Sequence, residues 1–112
     1  MIHFTHKTKK MRNNKELIYE PETVLDAVAK HFGVAVRQLG KMGRKPEQVR
    51  RKHIAMYLLR NLSGLTCTEV ATIFWCDHSL VLYAEEKVKN AFDISDDYYT
   101  LPIKEILGEL AK

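Results

Sequence analysis

The stretch Thr66-Cys67-Thr68-Glu69-Val70-Ala71-Thr72-Ile73-Phe74-Trp75-Cys76-Asp77-His78-Ser79-Leu80-Val81 decides the fold. Thr66 and Glu69 stand at capping-box spacing, where the hydroxyl and the carboxylate each accept a backbone N–H from the other end of the first turn. Val70, Ile73 and Phe74 follow on one face, so the spacing predicts a short helix that breaks at Trp75-Cys76. A second helix starts near Asp77 and runs to about Phe92, with Val81, Ala84, Val88 and Phe92 on its apolar face. Two helices joined by a turn of three or four residues form a helix-turn-helix corner. Advancing about 100° per residue from Val81 turns Ser79, Tyr83, Glu86 and Asn90 outward, with Leu80 and Leu82 at the flanks. Asp77 and His78 occupy the tip.

Working outward, Pro46 is suited to the first helical position, and a helix runs from it to about Leu62 on the stripe Ile54, Leu58 and Leu62, stopped by Gly64. Val24, Val28 and Phe32 mark an earlier helix from Thr23 that ends at Gly33, and a single turn is expected over Val36 to Leu39. Residues 40–46 read as a basic loop between glycines and proline. Thr100 and Pro102 are read as opening a terminal helix that carries Ile103, Ile106, Leu107 and Leu110. No segment alternates with period two. The expected fold is therefore all-α, a helix-turn-helix bundle of about five helices over residues 22–112. Residues 1–21 lack apolar periodicity and read as a flexible basic arm.

At 112 residues the chain suits one domain with one core. It holds no G-x-x-x-x-G-K-[ST] or G-x-G-x-x-G run to cradle phosphates, so no nucleotide partner and no ATPase activity are expected. The longest apolar run, Ile54 to Leu59, is far short of a bilayer span, and no apolar stretch follows the basic start, so neither a membrane nor a secretory route is expected. Cys67 and Cys76 are nine apart and read as free thiols of a cytoplasmic protein. Of the five histidines, only His3 and His6 have ligand-like spacing, with no carboxylate beside them, so no metal is expected. A Cys76–His78 nucleophile would need a substrate pocket and oxyanion donors that nothing supplies. The chain reads as a non-enzyme without cofactors.

The net charge is +4, from 18 Lys and Arg against 14 Asp and Glu, and it is unevenly spread. Residues 1–15 carry five bases and no acid, and residues 37–60 carry eight bases against Glu47 alone. Lys41, Arg44, Lys45, Arg50, Arg51 and Lys52 crowd the start of the 46–62 helix, where the helix dipole is already positive. Cations there weaken a helix unless a phosphate sits among them, so this block reads as an anion site.

The string from Arg51 to Thr66, followed by Glu69-Val70, Phe74 and Asp77-His78-Ser79-x-Val81, resembles the C-terminal DNA-binding domain of the bacterial replication initiator DnaA. The family pattern is close to R-x-I-A-M-Y-L, then L-T-G-L-S, then F-G-R-D-H-[ST]-T-V-x-H-A. The resemblance covers roughly residues 22–92 and implies sequence-specific binding of double-stranded DNA, in replication initiation or its regulation. It implies that Arg44, in the basic loop from Lys41 to Lys45, enters the minor groove. It implies that Asp77, His78, Ser79 and Leu80 meet base edges in the major groove, and that Arg50, Arg51 and Lys52 lie along the backbone. Asp77 suits a cytosine amino group, and His78 and Leu80 suit thymine methyls.

The departures fall at the corner. Trp75-Cys76 replaces the family's Gly-Arg, Leu80 replaces a threonine, Tyr83 stands where a histidine is usual, and Glu86 shares that face. Two expectations follow. Either Trp75, Leu80 and Tyr83 form an exposed apolar patch for a protein partner or self-association, or Trp75 tucks under the terminal helix. The first would suit an interaction module that kept the fold and lost base reading; the retained basic block favours DNA.

Overall fold

The computed structural model describes residues 19–40 and 43–112. Among these residues the chain is helical without strands: α1 Pro21–Phe32, α2 Val36–Leu39, α3 Pro46–Leu62, α4 Cys67–Phe74, α5 His78–Asp93 and α6 Asp97–Leu110. The all-α helix-turn-helix expectation holds. Lys41 and residues 1–18, which hold nearly all of the expected arm, lie outside the described residues.

α3 is the central helix and packs against each of the other five. Its Ile54, Ala55, Met56, Leu58 and Leu59 meet Val24, Leu25 and Val28 of α1, Val70 and Phe74 of α4, Val81, Ala84 and Val88 of α5, and Ile103 and Ile106 of α6 in one core. Burying an aliphatic side chain of this size contributes about 1.5–3 kcal/mol before conformational entropy is set against it. Arg60 ties α3 to α5 from the side, with its guanidinium 3.2 Å from the Glu85 carboxylate and donating to the Leu65 carbonyl.

The helix ends follow local rules. Gly33 (φ 69°) closes α1: its N–H donates to the Lys30 carbonyl, and the Val34 N–H donates to that of Ala29. That pair is a Schellman motif, which glycine favours because its αL backbone has no Cβ to clash. Four expectations are corrected. α1 starts at Pro21 rather than Thr23, because proline's fixed φ and missing N–H suit the first helical position. Tyr19, which the sequence reading leaves in the arm, donates its backbone N–H to the Leu62 carbonyl and its hydroxyl to that of Leu110. On α5, Ala91 rather than Phe92 is buried; the turn into α6 folds over Ala91, and Phe92 is 37% exposed, its ring stacked on Tyr57.

The fourth correction concerns α6. Its cap is Asp96, whose carboxylate accepts the Tyr98 N–H at 3.0 Å, so Pro102 lies inside the helix rather than at its start. A proline there leaves the carbonyl four residues earlier, that of Tyr98, without its helical donor. Arg50 of α3 supplies one, with Nη1 3.1 Å from that oxygen. The same guanidinium lies 4.4 Å from the Tyr98 ring centroid and 5.3 Å from that of Phe32. One side chain thus joins α3, α6 and α1.

Candidate nucleic-acid interface

Two segments make up the site: the start of α3 and the corner between α4 and α5. At the corner, Thr66 and Glu69 form both bonds of the capping box, at 3.1 and 2.8 Å. α4 ends in a second Schellman motif, in which Trp75 N–H donates to the Thr72 carbonyl and Cys76 N–H to that of Ala71. The αL position, a glycine in α1, is here Trp75 (φ 56°). An L-residue in this conformation costs on the order of 1 kcal/mol that glycine would avoid. The indole recovers little of this by burial, since Trp75 is 67% exposed.

Asp77 then caps α5, its carboxylate accepting the Ser79 N–H at 3.3 Å and lying 3.1 Å from His78 Nδ1. The Cys67 thiol donates to the His78 carbonyl at 3.2 Å and pins the first turn of α5 to the start of α4. Asp77, His78 and Ser79 are exposed, while Leu80 is half-buried and packs on the core. The four residues read as base-contacting therefore divide into three that project from the helix tip and one that anchors it. Of the three residues read as an apolar patch, Trp75 and Tyr83 (54% exposed) are at the surface and Leu80 is turned inward. The Tyr83 ring meets His53 edge-on, whereas Trp75 lines a shallow depression with Thr68, Ala71, Thr72, Cys76, Asp77 and His78. The expectation that Trp75 tucks under α6 does not hold.

At the other segment, Arg44 and Lys45 are exposed, and among the described residues no side chain caps the first turn of α3. Its early N–H groups are open to an anion. Arg51 and Lys52 are half-buried along the second turn. Lys52 reaches toward the corner: burial raises the Cys76 thiol pKa, the Lys52 charge pulls it down, and Asp77 and Cys67 push it up. Of the basic residues of α3, Lys52 is thus the one whose charge is felt at the corner. Arg50 differs from the rest because its Nη1 is engaged with α6.

One residue escaped the sequence reading. His53 is 4% exposed, with Nδ1 3.0 Å from the Tyr99 hydroxyl. Desolvation, then the charges of Lys87 and Lys52, lowers its pKa from 6.5 to about 4. It is a neutral core histidine directly beneath the basic residues, and no spacing in the sequence marks it.

The pattern of the bacterial DnaA helix-turn-helix matches residues 21–88, more than half of the chain. The chain belongs to the bacterial DnaA helix-turn-helix family. Similar proteins carry the name chromosomal replication initiator protein DnaA. That of a Thermus thermophilus strain is 40% identical over 76 residues, 67% of this chain and 17% of that protein. That of Thermomicrobium roseum is 43% identical over 70 residues, 62% of this chain and 15% of that protein. That of Corynebacterium jeikeium is 35% identical over 72 residues, 63% of this chain and 12% of that protein. The matched part thus spans about a sixth or less of these relatives. Within this DnaA-type domain the match takes in α1 to α4 and most of α5, and leaves α6 outside. Among the described residues no helix is long and apolar enough to cross a membrane.

Proposed function

We propose that the chain binds double-stranded DNA, with the tip of α5 in the major groove and the start of α3 on the backbone. The observation that carries this reading is the exposed, backbone-fixed Asp77-His78-Ser79 tip, with Lys52 of the basic α3 stretch close enough for its charge to act on the adjoining Cys76. Recognition helices meet base edges with their N-terminal residues. In this reading Asp77, His78 and Ser79 address bases and Leu80 sets the helix angle. Arg44 enters the minor groove, and Lys41, Lys45, Arg51 and Lys52 meet phosphates. Arg50 serves mainly as a strut. Binding is sequence-specific, takes place in the cytoplasm, and acts in replication initiation or its control, as the names of the relatives suggest.

The test is fluorescence anisotropy with a labelled duplex carrying a DnaA-type box and a scrambled duplex, each at low and moderate salt. Preference for the box is the expected result. Arg44→Ala and Arg51→Ala should each weaken binding to both duplexes and lower the slope of log K against log salt by about one. Asp77→Ala should change the preference between duplexes and leave that slope alone. Absence of binding to either duplex at low salt would overturn the proposal and favour a protein-interaction module.

A further inference from the structure

We propose that Trp75 is a DNA-contacting residue, its indole packing on the apolar surface of the duplex, thymine methyl or deoxyribose, next to the bases addressed by residues 77–79. This rests on the duplex-binding reading above and adds to it a contact that the family's glycine lacks. Three observations meet at this residue. Trp75 takes an αL backbone, the kind of local strain that persists where function requires it. Its side chain is largely exposed, where an aromatic adds little to folding. It also shares one shallow depression with Asp77 and His78, so any groove that receives the α5 tip also meets the indole.

The chemistry selects the ligand surface. In a duplex the base faces are stacked, so an indole beside a recognition helix meets methyl groups and sugars rather than ring faces. Thr68, Ala71, Thr72 and Cys76 complete the lining, and none of them carries a formal charge. The contact therefore adds affinity and site preference without releasing a counterion, which separates it from the lysines and arginines of α3.

The chain contains a single tryptophan, so its emission reports on this site alone. Duplex binding is followed by anisotropy of the labelled DNA and, in parallel, by Trp75 fluorescence. The expected result is a quench or blue shift that saturates with the anisotropy. Trp75→Gly, which relieves the strained backbone and should fold, is expected to lose about tenfold in affinity for the preferred duplex with the salt slope unchanged. Replacing thymine by uracil across that duplex distinguishes the two surfaces: a larger loss with Trp75 than in Trp75→Gly identifies a methyl, and equal losses in the two, with the effect of Trp75→Gly retained, identify deoxyribose. Unchanged emission and equal affinity of Trp75→Gly, with DNA binding intact, would overturn this inference and leave the duplex reading standing. A change in sedimentation rather than in DNA affinity on Trp75→Gly would overturn it in favour of a second copy of the chain. Failure of every duplex to bind would overturn both.

Discussion

Acidification from near pH 7 to about 4.5 is expected to destabilise the fold through His53, and His53→Gln is expected to remove that part of the loss. The imidazole is buried among α3, α5 and α6, against Tyr99 and Tyr83, with Lys52 and Lys87 close enough to disfavour its charged form. Its pKa falls from 6.5 in the unfolded chain to about 4 in the fold. Between those values the unfolded state binds a proton that the folded state does not, so stability falls as pH falls through this window and levels off below it. Above the unfolded pKa both states are neutral and the residue gives no pH dependence. At about pH 4.5 the linkage relation gives roughly 2.5 kcal/mol of lost stability from this one group, at about 1.4 kcal/mol per unit. The assay is urea unfolding of both proteins at half-unit pH steps, comparing differences so that groups common to both cancel. The wild-type curve should fall away from that of His53→Gln below about pH 6.5 and run parallel to it below about pH 4. Parallel curves throughout would refute the reasoning and mean that His53 titrates as it does in water.

Arg50→Ala should cost about 1 kcal/mol in urea unfolding, because it exchanges a solvent-exposed bond to the Tyr98 carbonyl for one to water and removes two cation–π contacts. Its effect on the salt slope of DNA binding should be smaller than that of Arg51→Ala. Trp75→Gly should keep stability within about 1 kcal/mol of wild type, whereas removal of a buried tryptophan would cost about 3–5 kcal/mol; thermal unfolding separates the two. Asp77→Ala removes the α5 cap and should lower stability by about 1 kcal/mol, measured in the same way.

The parts of this molecule written in the sequence are those governed by neighbours along the chain. Thr66 with Glu69, Pro46, Gly33 and the Val81-Ala84-Val88 stripe each state a local rule, and the structure obeys them. The tip at Asp77-His78-Ser79 was legible for the same reason: an N-cap residue after a helix break projects by geometry. What was not legible depends on residues brought together across the fold. Pro102 suggests a helix start when read alone; it is tolerated mid-helix because Arg50, far away in the chain, supplies the missing donor. Nothing in the sequence around His53 separates it from an exposed histidine, since its burial comes from Tyr83 and Tyr99 on later helices. Trp75 admitted two opposite expectations because a tryptophan at a helix end carries no signal that its backbone will take a glycine conformation.

The bond between Arg50 and the Tyr98 carbonyl links two properties usually treated apart. Pro102 carries no charge and sits in a helix outside the family match, yet by withholding one N–H it leaves the Tyr98 carbonyl to accept from the Arg50 guanidinium. An alanine at position 102 would return that N–H to the helix and weaken the hold on Arg50, leaving the Tyr98 and Phe32 rings to retain it. In the proposed duplex complex the number of ions displaced would then rise by up to about one, with every charged residue of the chain unaltered. On the proposed function, ionic-strength sensitivity would therefore respond to an uncharged substitution in a helix that makes no DNA contact itself.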